Sequence, residues 1–231
     1  MILATLSLLF IFANNYAYSE ELKYNFTSGA IYSYEYTRQD VSIVNALNNT
    51  PQKSSSNQII DFDIKVVGFQ DNSFILDIGD DNSRVRRYIS NKGALRGAPS
   101  ENKMIFPYFI IFPEGDWTVG TTVNQKDEFT AFGKQIPVIW TLTLKKIDKL
   151  KSLADITFEA KFNLADDRIY SKSLSLNGQL IFNMAEGVIH EATWKSNYVS
   201  KLICKENAIT RDLWNFQKQT AHLLKMTGVE K

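Results

Sequence analysis

The chain holds a single cysteine, Cys204, and two histidines, His190 and His222. A lone thiol excludes an intrachain disulfide, and no cysteine near the N-terminus could carry a lipid. Two histidines cannot build a three-histidine zinc site, and no Cys or Glu stands at metal spacing beside them. Only five prolines interrupt 231 residues, so long regular segments are permitted. Net charge is +1, which removes any global attraction to nucleic acid or an anionic membrane. The chain has no G-x-S-x-G, no phosphate-binding glycine loop and no dinucleotide fingerprint. Neither an enzyme nor a cofactor is expected, and no nucleic-acid partner.

No apolar run approaches the roughly 20 residues that span a bilayer. The longest covers residues 2–13 and is followed by Ala17-Tyr18-Ser19, with small residues at the −3 and −1 places of a cleavage site before Glu20. Residues 1–19 therefore read as a signal peptide and 20–231 as the mature domain, secreted or periplasmic. An exported chain without disulfides fits a bacterial periplasm or surface.

Alternation of apolar and polar residues dominates what remains. Ala154, Ile156, Phe158, Ala160, Phe162 and Leu164 alternate with Asp155, Thr157, Glu159, Lys161 and Asn163. A strand turns successive side chains to opposite faces, so this segment has one dry face and one wet face. The same pattern predicts a first strand through Tyr32, Tyr34 and Tyr36, and a hairpin over 57–79. Two short strands follow at 84–91 and 93–98, then others at 121–131, 135–146, 153–164, 169–184 and 188–204. Residues 46–58 are polar and turn-rich and predict a long mobile loop. The tail from Ile209 to Met226 fits helix or strand; a closing strand agrees better with the β chain before it. The fold class is all-β: one curved antiparallel sheet forming an incomplete or closed barrel of about ten strands, with few helices.

Residues 104–113, Met-Ile-Phe-Pro-Tyr-Phe-Ile-Ile-Phe-Pro, break the rhythm. Pro107 and Pro113 exclude a central strand or long helix, leaving an irregular apolar ribbon. Phe106, Tyr108, Phe109, Ile110, Phe112 and Trp117 are the candidate ligand-binding residues. Exposed, they would mark a partner or ligand surface; inside the sheet they are core. Other groups have plainer readings. His190 shares strand phase with Ala192, Trp194 and Tyr198 and reads as a half-buried histidine. Cys204 reads as a buried thiol. Asp77 to Asn82 read as a solvated acidic turn, and Asp61, Asp63, Asp166 and Asp167 as surface charge. Arg84, Arg86 and Arg87, with Lys92 and Arg96 nearby, read as a solvated edge, with anion binding the alternative.

Two segments carry a family resemblance. Phe112-Pro113-Glu114-Gly115-Asp116-Trp117-Thr118-Val119-Gly120 resembles the proline and val-gly-asp-x-trp turn of bacterial half-barrel envelope proteins, a group that includes lipoprotein carriers. Gly178-Gln179-Leu180-Ile181-Phe182-Asn183 followed by Gly187-Val188-Ile189 is similar to their late hairpin. The resemblance implies an unclosed barrel whose concave face holds acyl chains or another greasy ligand. The one-sided alternation and the aromatic ribbon lead to the expectation of a hydrophobic ligand or a lipidated partner inside the curved sheet. The alternative is a structural or interaction module of the cell envelope, with an envelope protein partner and a fully packed interior.

Overall fold

A computed structural model describes residues 19–46, 50–80, 83–96, 109–131, 134–162, 170–203 and 210–227. Thirteen strands, β1 to β13, follow in chain order: Ser19–Glu20, Ile31–Ala46, Gln52–Gln70, Ser73–Gly79, Arg84–Ser90, Leu95–Arg96, Trp117–Thr118, Thr122–Ala131, Lys134–Asp148, Leu153–Phe162, Tyr170–Asn183, Val188–Ile203 and Thr210–Thr227. No helix occurs among the described residues.

Eleven strands form one antiparallel sheet in the order β6-β5-β4-β3-β2-β13-β12-β11-β10-β9-β8. Nearly every neighbour in space is a neighbour in sequence. The exception is β2 against β13, which pairs from Ile31↔Thr227 to Ala46↔Arg211. β6 and β8 lie at opposite edges and are not paired, so the barrel is incomplete. The tail is a strand throughout β13, as the β context of the preceding chain predicts.

The alternation of β10 becomes its burial pattern: Ala154, Ile156, Phe158 and Ala160 are buried on the concave face. The same face takes Val138, Trp140, Leu142 and Leu144 from β9, Leu176, Leu180 and Phe182 from β11, and Ala192 and Trp194 from β12. Fully burying one such side chain stabilises by about 1.5–3 kcal/mol, so this face drives folding. Register shifts on β3 at Val66/Gly68, on β12 opposite Ile181/Phe182 and on β13 at Leu223/Lys225 add twist.

Three sequence expectations need correction. Residues 46–58 are not one long loop, because β2 runs to Ala46 and β3 starts at Gln52. Both faces of β3 are exposed from Gln52 to Ile60, so no apolar alternation is required there and none marks the strand. His190 does not share the phase of Ala192 and Trp194. Ile181 pairs with Glu191 and Phe182 with Ile189, so His190 is the extra residue of a bulge. The bulge re-aims its ring edge-on to exposed His222, with centroids 5.4 Å apart. The strand expected over 93–98 is the two-residue β6 as far as it is described; residues 97 and 98 lie outside the described residues.

Candidate functional site

The apolar face of the sheet is buried along its strands and covered at one end. That end gathers the 71–72, 91–94, 149–152 and 184–187 turns. Two segments outside the large sheet cross it. One is residues 20–30, where Leu22, Tyr24 and Phe26 are buried and alternate with exposed Glu21, Lys23 and Asn25. The other is residues 109–120, where Ile110, Phe112 and Trp117 are buried and Phe109 is half-buried. The pairing Glu20↔Trp117 joins them as a two-stranded sheet. Together they form a plug.

Backbone bonds seat the plug on the turns. Tyr24 N donates to Asn91 O at 2.7 Å, Asn25 N to Gly187 O at 3.0 Å and Phe112 N to Lys92 O at 2.8 Å. The Tyr24 hydroxyl donates to Ile110 O at 3.3 Å and accepts from Ile110 N at 3.1 Å, satisfying a segment without a ladder of its own. Its ring stacks on Phe112 at 5.0 Å and meets Phe182 edge-on at 5.5 Å. Tyr34 donates to Ile189 O at 2.8 Å. Burial pushes the phenols of Tyr24 and Tyr34 well above their ordinary range, and that of Tyr36 up to about 12. Tyr24 and Tyr34 act as neutral hydrogen-bonding core residues.

Lys92 is buried, and its Nζ donates to Glu21 Oε1 at 3.0 Å and Leu22 O at 3.2 Å. Glu21 is held below the ordinary carboxylate range, first by the Lys92 hydrogen bond and then by the Lys92 charge. A lowered folded-state pKa stabilises above the unfolded value, and that contribution is lost as pH falls through the folded pKa. Amide protection of residues 20–26, taken against the intrinsic exchange rate at each pH, is therefore expected to fall below about pH 4, ahead of β10. Equal protection of both segments down to global unfolding would contradict this role for the Glu21–Lys92 pair.

Of the six sequence candidates, Ile110, Phe112 and Trp117 lie in the core, and Phe109 packs against it. Phe106 and Tyr108 lie outside the described residues. The crevice between the plug and the sheet, lined by Tyr24, Phe26, Tyr34, Phe109 and Ile189, has a volume of only about 10 Å³. That is about the least space that holds one water. A larger depression of about 490 Å³ crosses the outer face at Gly178, among Thr141, Thr157, Glu159, Asn177, Thr193 and Lys195. It is open, Phe158 and Trp194 also line it, and no residue of the ribbon does.

Above the plug, the inward phase of β2 changes from Tyr32, Tyr34 and Tyr36 to Arg38 and Asp40. Arg38 Nε lies 2.7 Å from Asp40 Oδ2. Asp40 Oδ1 is buried without a hydrogen-bond partner. The facing strands β9 to β12 present Val138, Ala160, Leu176 and Trp194. The interior thus has a greasy wall opposite a polar step. Sequence reasoning missed this step, and it missed Leu22, Tyr24 and Phe26. Both signals were present: alternation over 22–26, and Arg38 and Asp40 in the phase of the three tyrosines.

Several of the remaining candidates are engaged or undescribed. Arg86 clasps Asp77 with two bonds of 2.8 and 3.0 Å, which keeps the Asp77 carboxyl below its ordinary range. Arg84 lies 3.6 Å from Asp63, which also accepts from Ser33 at 2.7 Å. Asp80 caps Ser83 N at 2.7 Å. No group of three metal-ligating residues converges among the described residues. Cys204, Asp166 and Asp167 lie outside them.

No family model and no curated protein matches the chain. Among solved structures, it is similar to one of lipid–protein interactions in lipovitellin. Identity is 12% and the TM-score 0.42, covering 90% of this chain and 26% of that one. The chain thus spans about a quarter of the lipovitellin chain. It also matches the attachment invasion locus protein Ail of Yersinia pestis, with 7% identity and a TM-score of 0.15 over 84% of this chain and 99% of that one. Neither likeness carries an argument about function.

Proposed function

We propose that this is a non-enzymatic envelope protein, secreted or periplasmic after removal of residues 1–19. It takes up a hydrophobic ligand, or the acyl chain of a lipidated partner, against the concave face of its sheet. The observation behind this reading is the cover of that face. At one end, residues 20–30 and 109–120, which lie outside the large sheet, overlie the apolar lining, held by backbone bonds at Tyr24, Asn25, Gly29, Phe112 and Gly120 and by Lys92. Uptake requires this cover to open at lower free energy than the strand ladder, as ligand-binding segments do. Opening would free Phe109, Ile110, Phe112 and Trp117 together with the wall around Trp140 and Trp194. Arg38 and Asp40 would meet the polar end of an amphipathic ligand.

The test is mass spectrometry of lipid extracted from the purified protein, with titration of a fluorescent fatty acid into delipidated protein. Saturable binding that weakens on Phe109→Asp supports the reading. No extracted lipid and no saturable binding overturn it. The second reading, a packed scaffold with an envelope protein partner, is favoured by the crevice of about 10 Å³. It predicts that second result together with a co-purifying protein.

A further inference from the structure

The first half of β3 is unusual in two ways. Its residues Gln52 to Ile60 are exposed on both faces of the sheet. They pair with β2 on one edge, but β4 joins β3 only from Asp63 onward. Residues 52–62 therefore present a free edge among the described residues. Such an edge is a template for another strand unless charge, proline or a bulge blunts it. The outer strand β8 carries Lys126, Asp127 and Glu128 at its middle. β3 has only Ser, Asn, Gln and Ile between Lys53 and Asp61.

A second observation concerns charge. Glu35 and Asp61 are directly opposite in the β2–β3 register, on the outer face. Like charges so placed are destabilising. Neither has an ion pair among the described residues.

We infer that β3 pairs antiparallel with β3 of a second copy of this chain, around a two-fold axis at Asn57. Residues 56 and 58, 55 and 59, and 54 and 60 then stand opposite. Lys53 of each copy meets Asp61 of the other. Two ion pairs flank an uncharged centre, and each supplies a cation beside a Glu35–Asp61 repulsion. This is a closed, isologous contact, so it yields dimers and not fibres. A joint of nine residues per chain falls at the small end of interfaces, so the dimer is weak and concentration-dependent. The inference does not depend on the ligand reading, because the edge lies outside the plugged interior.

Sedimentation equilibrium of the mature chain over a wide concentration range tests it. A monomer–dimer equilibrium is expected. Lys53→Asp and Asp61→Lys should each weaken it about tenfold, and the double swap should restore it. Asp61→Lys also removes the clash with Glu35, so its monomer should melt no lower than wild type. Adjacent backbone N–H groups point to opposite edges. One of Ser55→Pro and Ser56→Pro should therefore keep the monomer fold and abolish the dimer. A chain that stays monomeric throughout overturns the inference. So does association indifferent to the swaps and the prolines, which would assign the contact to another surface such as β8. A monomer that binds only a foreign extended peptide overturns it as well.

Discussion

Tyr24→Ala is expected to lower the unfolding free energy by about 3–5 kcal/mol, the usual cost of truncating a large buried aromatic. Tyr24 is 1% exposed and touches Phe26, Phe109, Phe112 and Phe182 with ring centroids 5.0–5.8 Å away. Few residues tie so many separate segments together. Tyr24→Phe isolates the polar part. It keeps the ring but removes the partner of Ile110 N–H and Ile110 C=O, at about 1–3 kcal/mol. Denaturant melts of the three proteins check both values. A shift below about 1 kcal/mol for Tyr24→Ala would mean that the plug lies outside the cooperative unit. The alanine variant should also widen the crevice and admit a small apolar probe such as benzene, since engineered apolar cavities stay dry and bind such probes.

Gly93→Ala is expected to cost about as much for a different reason. Gly93 has φ +96°, a backbone conformation that a side chain strains by about 1–3 kcal/mol. Its added Cβ would stand 2.2 Å from Ile110 O and 2.8 Å from the Tyr24 ring. The first of these is backbone, so no rotamer change relieves it. The ribbon must move away, and the Phe112 N to Lys92 O bond goes with it, at about another 1 kcal/mol. A total near 3 kcal/mol should appear in thermal melts, with faster proteolysis of residues 109–117. A variant that melts like the parent, with an intact ribbon, would show that the 91–94 turn does not hold the plug.

These effects fall where sequence was least informative. β9 to β12 were legible because one face is dry along most of their length, and alternation records that difference. The upper half of β3 was not, since solvent on both faces removes the contrast. His190 misled because one extra residue shifts the phase of all that precede it, and a bulge leaves no compositional mark. The ribbon was legible as an irregular element through Pro107 and Pro113. Its partner in residues 20–26 was harder to see, because a short alternating stretch after an apolar leader looks like the start of any strand. Arg38 and Asp40 stood in the right phase, but charge at an inward position reads as a loop until the facing wall is known.

The junction of β2 with β13 has a kinetic consequence. β13 follows the other twelve strands in the chain yet lies in the middle of the large sheet, so the two halves share no ladder until β13 has formed. Contacts separated by most of the chain's length make such a protein slow to fold and leave its early strands unpaired meanwhile. Shortening the chain before Thr210 would split the molecule down its centre, whereas loss of β8 would only trim a border.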